Sequence, residues 1–242
     1  MILLTIIAHD AVEQRKRRRL TRRVYTNLGP NFLWHVDGYD KLKPYGTCIN
    51  GAIDDFSRYV LWLEAHITNS DPKLVAGYFM ECIKRNNGCP SRVRTDKGTE
   101  NNHTQQMQLF LRRNGQDQYA NSCFLTGRST HNQRIEQWWG FLRKQNIQYW
   151  MDLIVNLKKL GCFNGDFLDK ALIQFCFMKI IQGELDGLVK LWNHHLIRRT
   201  KHSNSPHGRP VILFSLPQTV GRMIHTSCSR KQNEYLFSTM PT

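Results

Sequence analysis

Short apolar runs that stop on a carboxylate set the strongest limit on how this chain can fold. Residues 33–37 read Leu-Trp-His-Val-Asp, and residues 91–96, Ser-Arg-Val-Arg-Thr-Asp, likewise end on an acid, Asp96. Runs of this length, bounded by turn residues and rich in aromatic and β-branched side chains, are the pattern of strands with a buried face. Residues 48–53 and 59–65 give two more, with Asp54-Asp55-Phe56-Ser57 between them as a hairpin turn. Three consecutive strands predict an antiparallel meander, and residues 91–95 predict a fourth strand that delivers Asp96 at its end.

Helical periodicity fills the gaps. After Asp71 and Pro72, a cap and a first-turn residue, Leu74, Val75, Tyr78, Phe79, Cys82 and Ile83 recur on one helical face until Gly88 and Pro90 stop it. Met107, Phe110 and Leu111 mark a second helix closed by Asn114-Gly115. A short strand is predicted at residues 118–120, and a third helix runs from Asn132 to about Tyr149 with Ile135, Trp138, Trp139 and Leu142 as its buried stripe. Strands with interleaved helices predict an α/β layered domain. Beyond residue 150 only helices are predicted, at about 150–161, 167–181 and 185–197. Residues 198–217 read as a basic loop and 218–242 as a poorly ordered tail. The expected organisation is a basic arm over 1–30, a core over 31–149, a helical extension and loop over 150–217, and the tail.

The chain of 242 residues carries 34 Lys and Arg against 19 Asp and Glu, a formal charge of +15. Such an excess favours polyanionic partners, nucleic acid ahead of an anionic membrane surface. Part of it lies in one run, Arg15, Lys16, Arg17, Arg18, Arg19, Arg22 and Arg23, which suits a phosphate-gripping arm, a nuclear-import signal or merely a solvated tail. The apolar residues 1–8 are too short to span a bilayer and lack a basic leader region. Seven cysteines at 48, 82, 89, 123, 162, 176 and 228 form no C-x-x-C pair and read as reduced thiols in a nuclear or cytoplasmic protein.

Asp37, Asp96 and Glu136 are the candidate catalytic and metal-binding residues. Taken alone, Asp96 reads first as a turn residue in Asp-Lys-Gly. Together, two aspartates at strand ends and a glutamate on a covering helix meet the need of phosphodiester chemistry for hard oxygen ligands around divalent ions. Asn132, Gln133, Glu136, Gly140 and Arg143 share one helical face, and Lys144 extends it. Asn132, Gln133, Arg143 and Lys144, with the seven cations of the arm, are therefore expected to contact nucleic acid.

Residues 33–40 (LWHVDGYD), 53–59 (IDDFSRY), 93–101 (VRTDKGTEN) and 127–136 (GRSTHNQRIE), in that order, resemble the integrase core of retroviruses and long-terminal-repeat retrotransposons. That core is a member of the ribonuclease H-like superfamily, and the likeness is greatest to metazoan integrase core domain proteins of mobile-element origin. Trp192-Asn193-His194 and Gly208-Arg209-Pro210 match weaker positions, so the resemblance covers about residues 22–217. It implies a mixed five-stranded sheet flanked by helices and an all-helical C-terminal extension. It also implies a DDE-type integrase or transposase that binds DNA and uses two Mg2+ or Mn2+ ions for phosphodiester cleavage and strand transfer. Asp37 would serve both ions, while Asp96 and Glu136 would each complete one. Asp54, Asp55 and Glu100 lie in the same strings but are not ligands of the family; Asp54 and Asp55 are expected to organise the hairpin, and Glu100 to cap or turn the following helix ahead of sitting near the metals.

The chain departs from retroviral integrases in showing neither the N-terminal His-His-Cys-Cys zinc module nor an SH3-like C-terminal module. His194, His195, His202 and His207 lack cysteine partners or a helical His-x-x-x-His, so no zinc is expected. A fragment of a longer element-encoded protein or a host-adopted remnant fits these departures. The alternative function is a catalytically silent nucleic-acid-binding protein of the same origin. A plain ribonuclease H-like nuclease is disfavoured by GRSTHNQRIE. Multimeric action of such integrases makes a homo-oligomer the expectation by analogy.

Overall fold

The computed structural model describes residues 28–127, 132–199 and 206–225; the basic run at 15–23 and most of the tail lie outside them. Strands β1 (Leu33–Tyr39), β2 (Cys48–Asp54) and β3 (Val60–His66) form the antiparallel meander. Strands β4 (Arg92–Thr95) and β5 (Phe124–Thr126) then add in parallel on the far side of β1, giving the order β3-β2-β1-β4-β5. This mixed five-stranded sheet, flanked by helices and followed by a helical region, is the ribonuclease H-like arrangement.

Alternation along β1 and β2 divides the core. Trp34, Val36 and Ala52 face helices α1 (Pro72–Asn86) and α2 (Asn102–Arg112), meeting Val75, Phe79, Ile83 and Leu111. Tyr39, Ile49 and Ile53 face the other way, against Ile135, Trp138, Trp139 and Leu142 of α3 (Gln133–Leu142). Helix α1 starts where expected, with the Asp71 side chain accepting from the backbone N–H of Lys73 at 2.9 Å. It ends one residue before Gly88, on Asn87 at φ 51°, a left-handed position that asparagine tolerates.

Four expectations are corrected. Residues 118–120 are no strand: Asp117 pairs with Arg112 and accepts from the N–H of Tyr119, which turns the chain, and β5 forms at 124–126 instead. The helix from 132 does not stop at 149. A π-helical turn, Arg143–Ile147, joins α3 to α4 (Gln148–Lys159) without a break, and it buries Asn146 and Ile147. Helices 167–181 and 185–197 are one element, α5 (Phe167–His194), because a continuous buried edge through Ile173, Ile181 and Leu185 outweighs the cost of an internal glycine. The loop at 198–217 contains a short helix, α6 (Pro210–Ser215).

Side chains of α5 also close the open edge of the sheet. Gln182 accepts from the N–H of Ala65 and donates to the carbonyl of Leu63, while Asn193 makes the same pair of bonds to Val60. Trp192 donates to the carbonyl of Arg58, so the Trp-Asn pair locks α5 onto the β2–β3 turn. Groups that would invite another strand are thereby satisfied within the chain. Among the described residues no helix is long and apolar enough to cross a membrane.

Candidate active site

The parallel pairing of β1 with β4 decides where the two aspartates meet. Leu33 pairs with Arg92, Trp34 with Val93 and His35 with Arg94. Carried on by two residues, that register brings Asp37 level with Asp96 on neighbouring strands. Both line a polar cleft of about 190 Å³, shared with Gly38, Asp40, Asn69, Glu100 and Asn101 among others. Asp96 is oriented locally: its Oδ1 accepts from the N–H of Gly98 at 3.2 Å and from Asn101 Nδ2 at 3.1 Å.

Asp37 points to the α3 side of the sheet. There Trp139 Nε1 donates to its Oδ2 at 2.8 Å. Burial pushes the Asp37 carboxyl up to about 7, helped by the charges of Glu136 and Asp96 and opposed by the Trp139 bond. A carboxyl raised by two carboxylate neighbours has too little positive charge around it. Lys43, the cation in the cleft wall, is engaged by Asp40 at 2.9 Å. The donor set therefore suits a hard divalent cation, which takes oxygen ligands and would relieve the repulsion.

Glu136 stands differently. It is exposed on α3, close enough to act on Asp37 electrostatically, but it does not line the cleft. Among the described residues no three His, Cys, Asp or Glu side chains close into a ready-made metal-binding group.

The expected nucleic-acid face of α3 is only partly on the surface. Arg143 and Lys144 are exposed in the π-helical turn, Arg143 donating to Gln148, and Gln133 is partly buried. Asn132 corrects the expectation: it is buried and both ends of its amide are occupied. Its Nδ2 donates to the carbonyl of Val36 at 3.0 Å, which fixes the amide so that its oxygen faces His35 Nδ1 at 2.5 Å. His35 Nε2 lies 3.1 Å from Asp55 Oδ1, so the ring bridges Asn132 and Asp55. Arg134 Nε donates to the same oxygen. Burial pushes the Asp55 carboxyl up, but the bond and charge of His35, with the charge of Arg134, more than offset this and hold it below the usual carboxylate range. Asn132 thus acts as a clamp that fixes the start of α3 against β1, one turn before Glu136.

Asp55 is accordingly more than a hairpin residue, whereas Asp54 keeps that role. It accepts from the N–H of Ser57, the Ser57 hydroxyl and the N–H of Asn31, and burial pushes its carboxyl up to about 7. Trp139 was legible only as a core residue, although its position three residues after Glu136 places both on neighbouring parts of one helix face. Gly51 was not singled out at all. It pairs with Asp37 across β1 and β2, and a Cβ there would meet Trp139 Cη2 at 2.9 Å and Leu63 Cδ1 at 3.1 Å. Gly51→Val is expected to displace the indole, destabilise the protein by about 2 kcal/mol and change its tryptophan emission. A variant with native emission and an unchanged denaturation midpoint would contradict this account of the glycine.

No curated protein matches the chain. The family model described as integrase core domain matches residues 24–213, which include both strand-borne aspartates, the clamp and Glu136. Covering well over half of the sequence, that match places the chain in the integrase core domain family.

Proposed function

We propose that the chain binds DNA and carries out divalent-metal-dependent phosphodiester cleavage and strand transfer. The observation that supports this best is that Asp37 and Asp96 line one cleft rich in carboxylates, where the parallel register of β1 and β4 carried on by two residues sets them level, with Glu136 bearing on Asp37 from α3. Asp37, Asp96 and Glu136 would hold the ions. Bound Mg2+ or Mn2+ supplies Lewis acidity, activating the attacking oxygen and stabilising the leaving one.

The chain's own residues do the rest. Trp139 holds one Asp37 oxygen, and Asn101 with the N–H of Gly98 holds one oxygen of Asp96. Arg143 and Lys144, beside Glu136 on the exposed side, and the cations at 15–23 supply phosphate contacts. Gln133 adds a hydrogen bonder at the edge of the same face. DNA as substrate and the basic run together favour a nuclear location.

A second reading, a catalytically silent DNA-binding protein, draws support from the exposed placement of Glu136 outside the cleft. Nicking and joining of short duplex DNA with magnesium or manganese separates the two. The catalytic reading expects metal-dependent products that fall by about a thousandfold in Asp96→Asn and in Glu136→Gln. Equal activity in wild type and both variants would remove the assignment. Salt-sensitive binding with no metal-dependent product would favour the silent protein.

A further inference from the structure

Asp40, Lys43 and Asn50 line the same cleft as Asp37 and Asp96 but stand outside the set that would hold the ions. Asp40 is not a free carboxylate. Its Oδ1 accepts from Asn69 Nδ2 at 3.1 Å and its Oδ2 from Lys43 Nζ at 2.9 Å. An exposed ion pair between neighbours in sequence adds little to stability, yet this one is built on a buried support. Asn69 is 6% exposed, and its Nδ2 donates also to the carbonyl of Ile49 at 2.8 Å. Its Oδ1 has no partner among the described residues. An unpaired buried acceptor is destabilising, so stability alone does not explain the arrangement. What it achieves is to fix Lys43 Nζ on the cleft wall, with further N–H groups open to a ligand.

Asn50 is a second donor on that wall. It lies within β2, where asparagine is disfavoured, and it is 2% exposed. Trp62 Nε1, which can only donate, bonds to Asn50 Oδ1 at 2.9 Å and so fixes the amide. That bond accounts for the oxygen and not for the nitrogen. Nδ2 makes no hydrogen bond among the described residues, and the side chain belongs to the cleft. Gly38 pairs with Asn50 across the ladder and puts no side chain in the way. Asn69 ties the two donors together, since it bonds both to Asp40, which holds Lys43, and to the carbonyl of Ile49, next to Asn50.

A cation and an amide N–H beside carboxylates that suit metal ions fit one kind of group. It is an anionic oxygen, which accepts from both donors and can also meet a bound cation. On a nucleic acid that group is a backbone phosphate. We propose that Lys43 and Asn50 grip one phosphate of the bound DNA strand at the metal cleft, with Asp40 as the positioning residue for the lysine. This rests on the DNA-binding half of the proposed function and not on its chemistry.

The test is binding by the whole chain with Ca2+ in place of Mg2+, gels confirming that the DNA stays intact. The probe is a short duplex carrying one neutral methylphosphonate, moved along the strand position by position. The wild type is expected to lose affinity at least about tenfold at one position. Lys43→Gln should weaken binding of the unmodified duplex, lower its salt slope by about one and remove the loss at that position. Asn50→Asp keeps an acceptor for Trp62 but sets a carboxylate against the phosphate. The neutral linkage at the same position should then bind more tightly than the natural one. In Asp40→Ala the lysine keeps its charge and loses its place, so the loss should spread over neighbouring positions. Native tryptophan emission is the check that each variant is folded. A position as sensitive in Lys43→Gln as in the wild type, or different positions answering to Lys43 and Asn50, would overturn the proposal. Magnesium-dependent nicking alongside such a result would remove this assignment alone and leave the catalytic reading standing. Absence of DNA binding would remove both.

Discussion

Replacing Asp37 by asparagine should make the metal-free protein more stable at pH 8 and, on the proposed catalytic reading, sharply reduce strand transfer. The carboxyl is raised from an ordinary value near 3.8 to about 7 by burial and by the charges of Glu136 and Asp96. A folded-state pKa above the unfolded one means that the native state binds the proton more tightly. The stabilisation this gives is complete below about pH 4 and is lost as the pH rises through 7. Asp54, also raised to about 7, acts in the same direction. Asparagine keeps an oxygen for Trp139 and carries no charge, so Asp37→Asn should gain about 2 kcal/mol over wild type at pH 8 and almost nothing at pH 4. The full three-unit shift would set an upper bound of roughly 4 kcal/mol. Unfolding midpoints across that range, without divalent ions, test it; a pH-independent difference between the two proteins would refute the electrostatic account. Loss of strand transfer by about a thousandfold in the same variant would separate the residue's catalytic value from its structural cost.

A larger loss of stability is expected from Asp55→Ala. Its carboxylate lies between His35 and Arg134, both buried, and accepts from each at 3.1 Å. Removing it takes the carboxylate partner from the buried Arg134 guanidinium and the bridging oxygen from His35, a change that costs about 3–5 kcal/mol. Denaturant unfolding reads the effect directly. Arg134→Met in the Asp55→Ala background should recover part of the loss, since the buried positive charge goes with it. A double variant no more stable than the single one would show that the carboxylate acts through something other than charge balance.

The sequence carried the strands well because each apolar run is framed by turn residues, and the acids stood at their ends in four ordered strings. The 118–120 segment failed because its fate rests on Arg112 and Asp117, a pairing across the end of α2 that neither helical nor strand periodicity announces. Asn132 illustrates a different limit. Helical spacing put it on the same face as Glu136, but the face of a helix near its first turn is also the side that meets the strand entering beneath it. Only the contacts with His35 and Val36 show that the residue serves position and not recognition. The joining of 167–181 with 185–197 was hidden at Gly183, which falls in the gap between the two predicted helices and which a continuous buried edge carries through.

The register between β1 and β4 has a consequence for how this fold tolerates change. Fifty-nine positions separate the two aspartates along the chain, yet their distance in space is set by three residue pairs of a parallel ladder. Insertions or deletions in the loops that flank α1, between the end of β3 and the start of β4, leave the alignment of Asp37 and Asp96 untouched. A single residue gained or lost within β4 turns the second carboxylate to the other face of the sheet. Those loops are thus free to drift in length, while the short strand beyond them is held to an exact count.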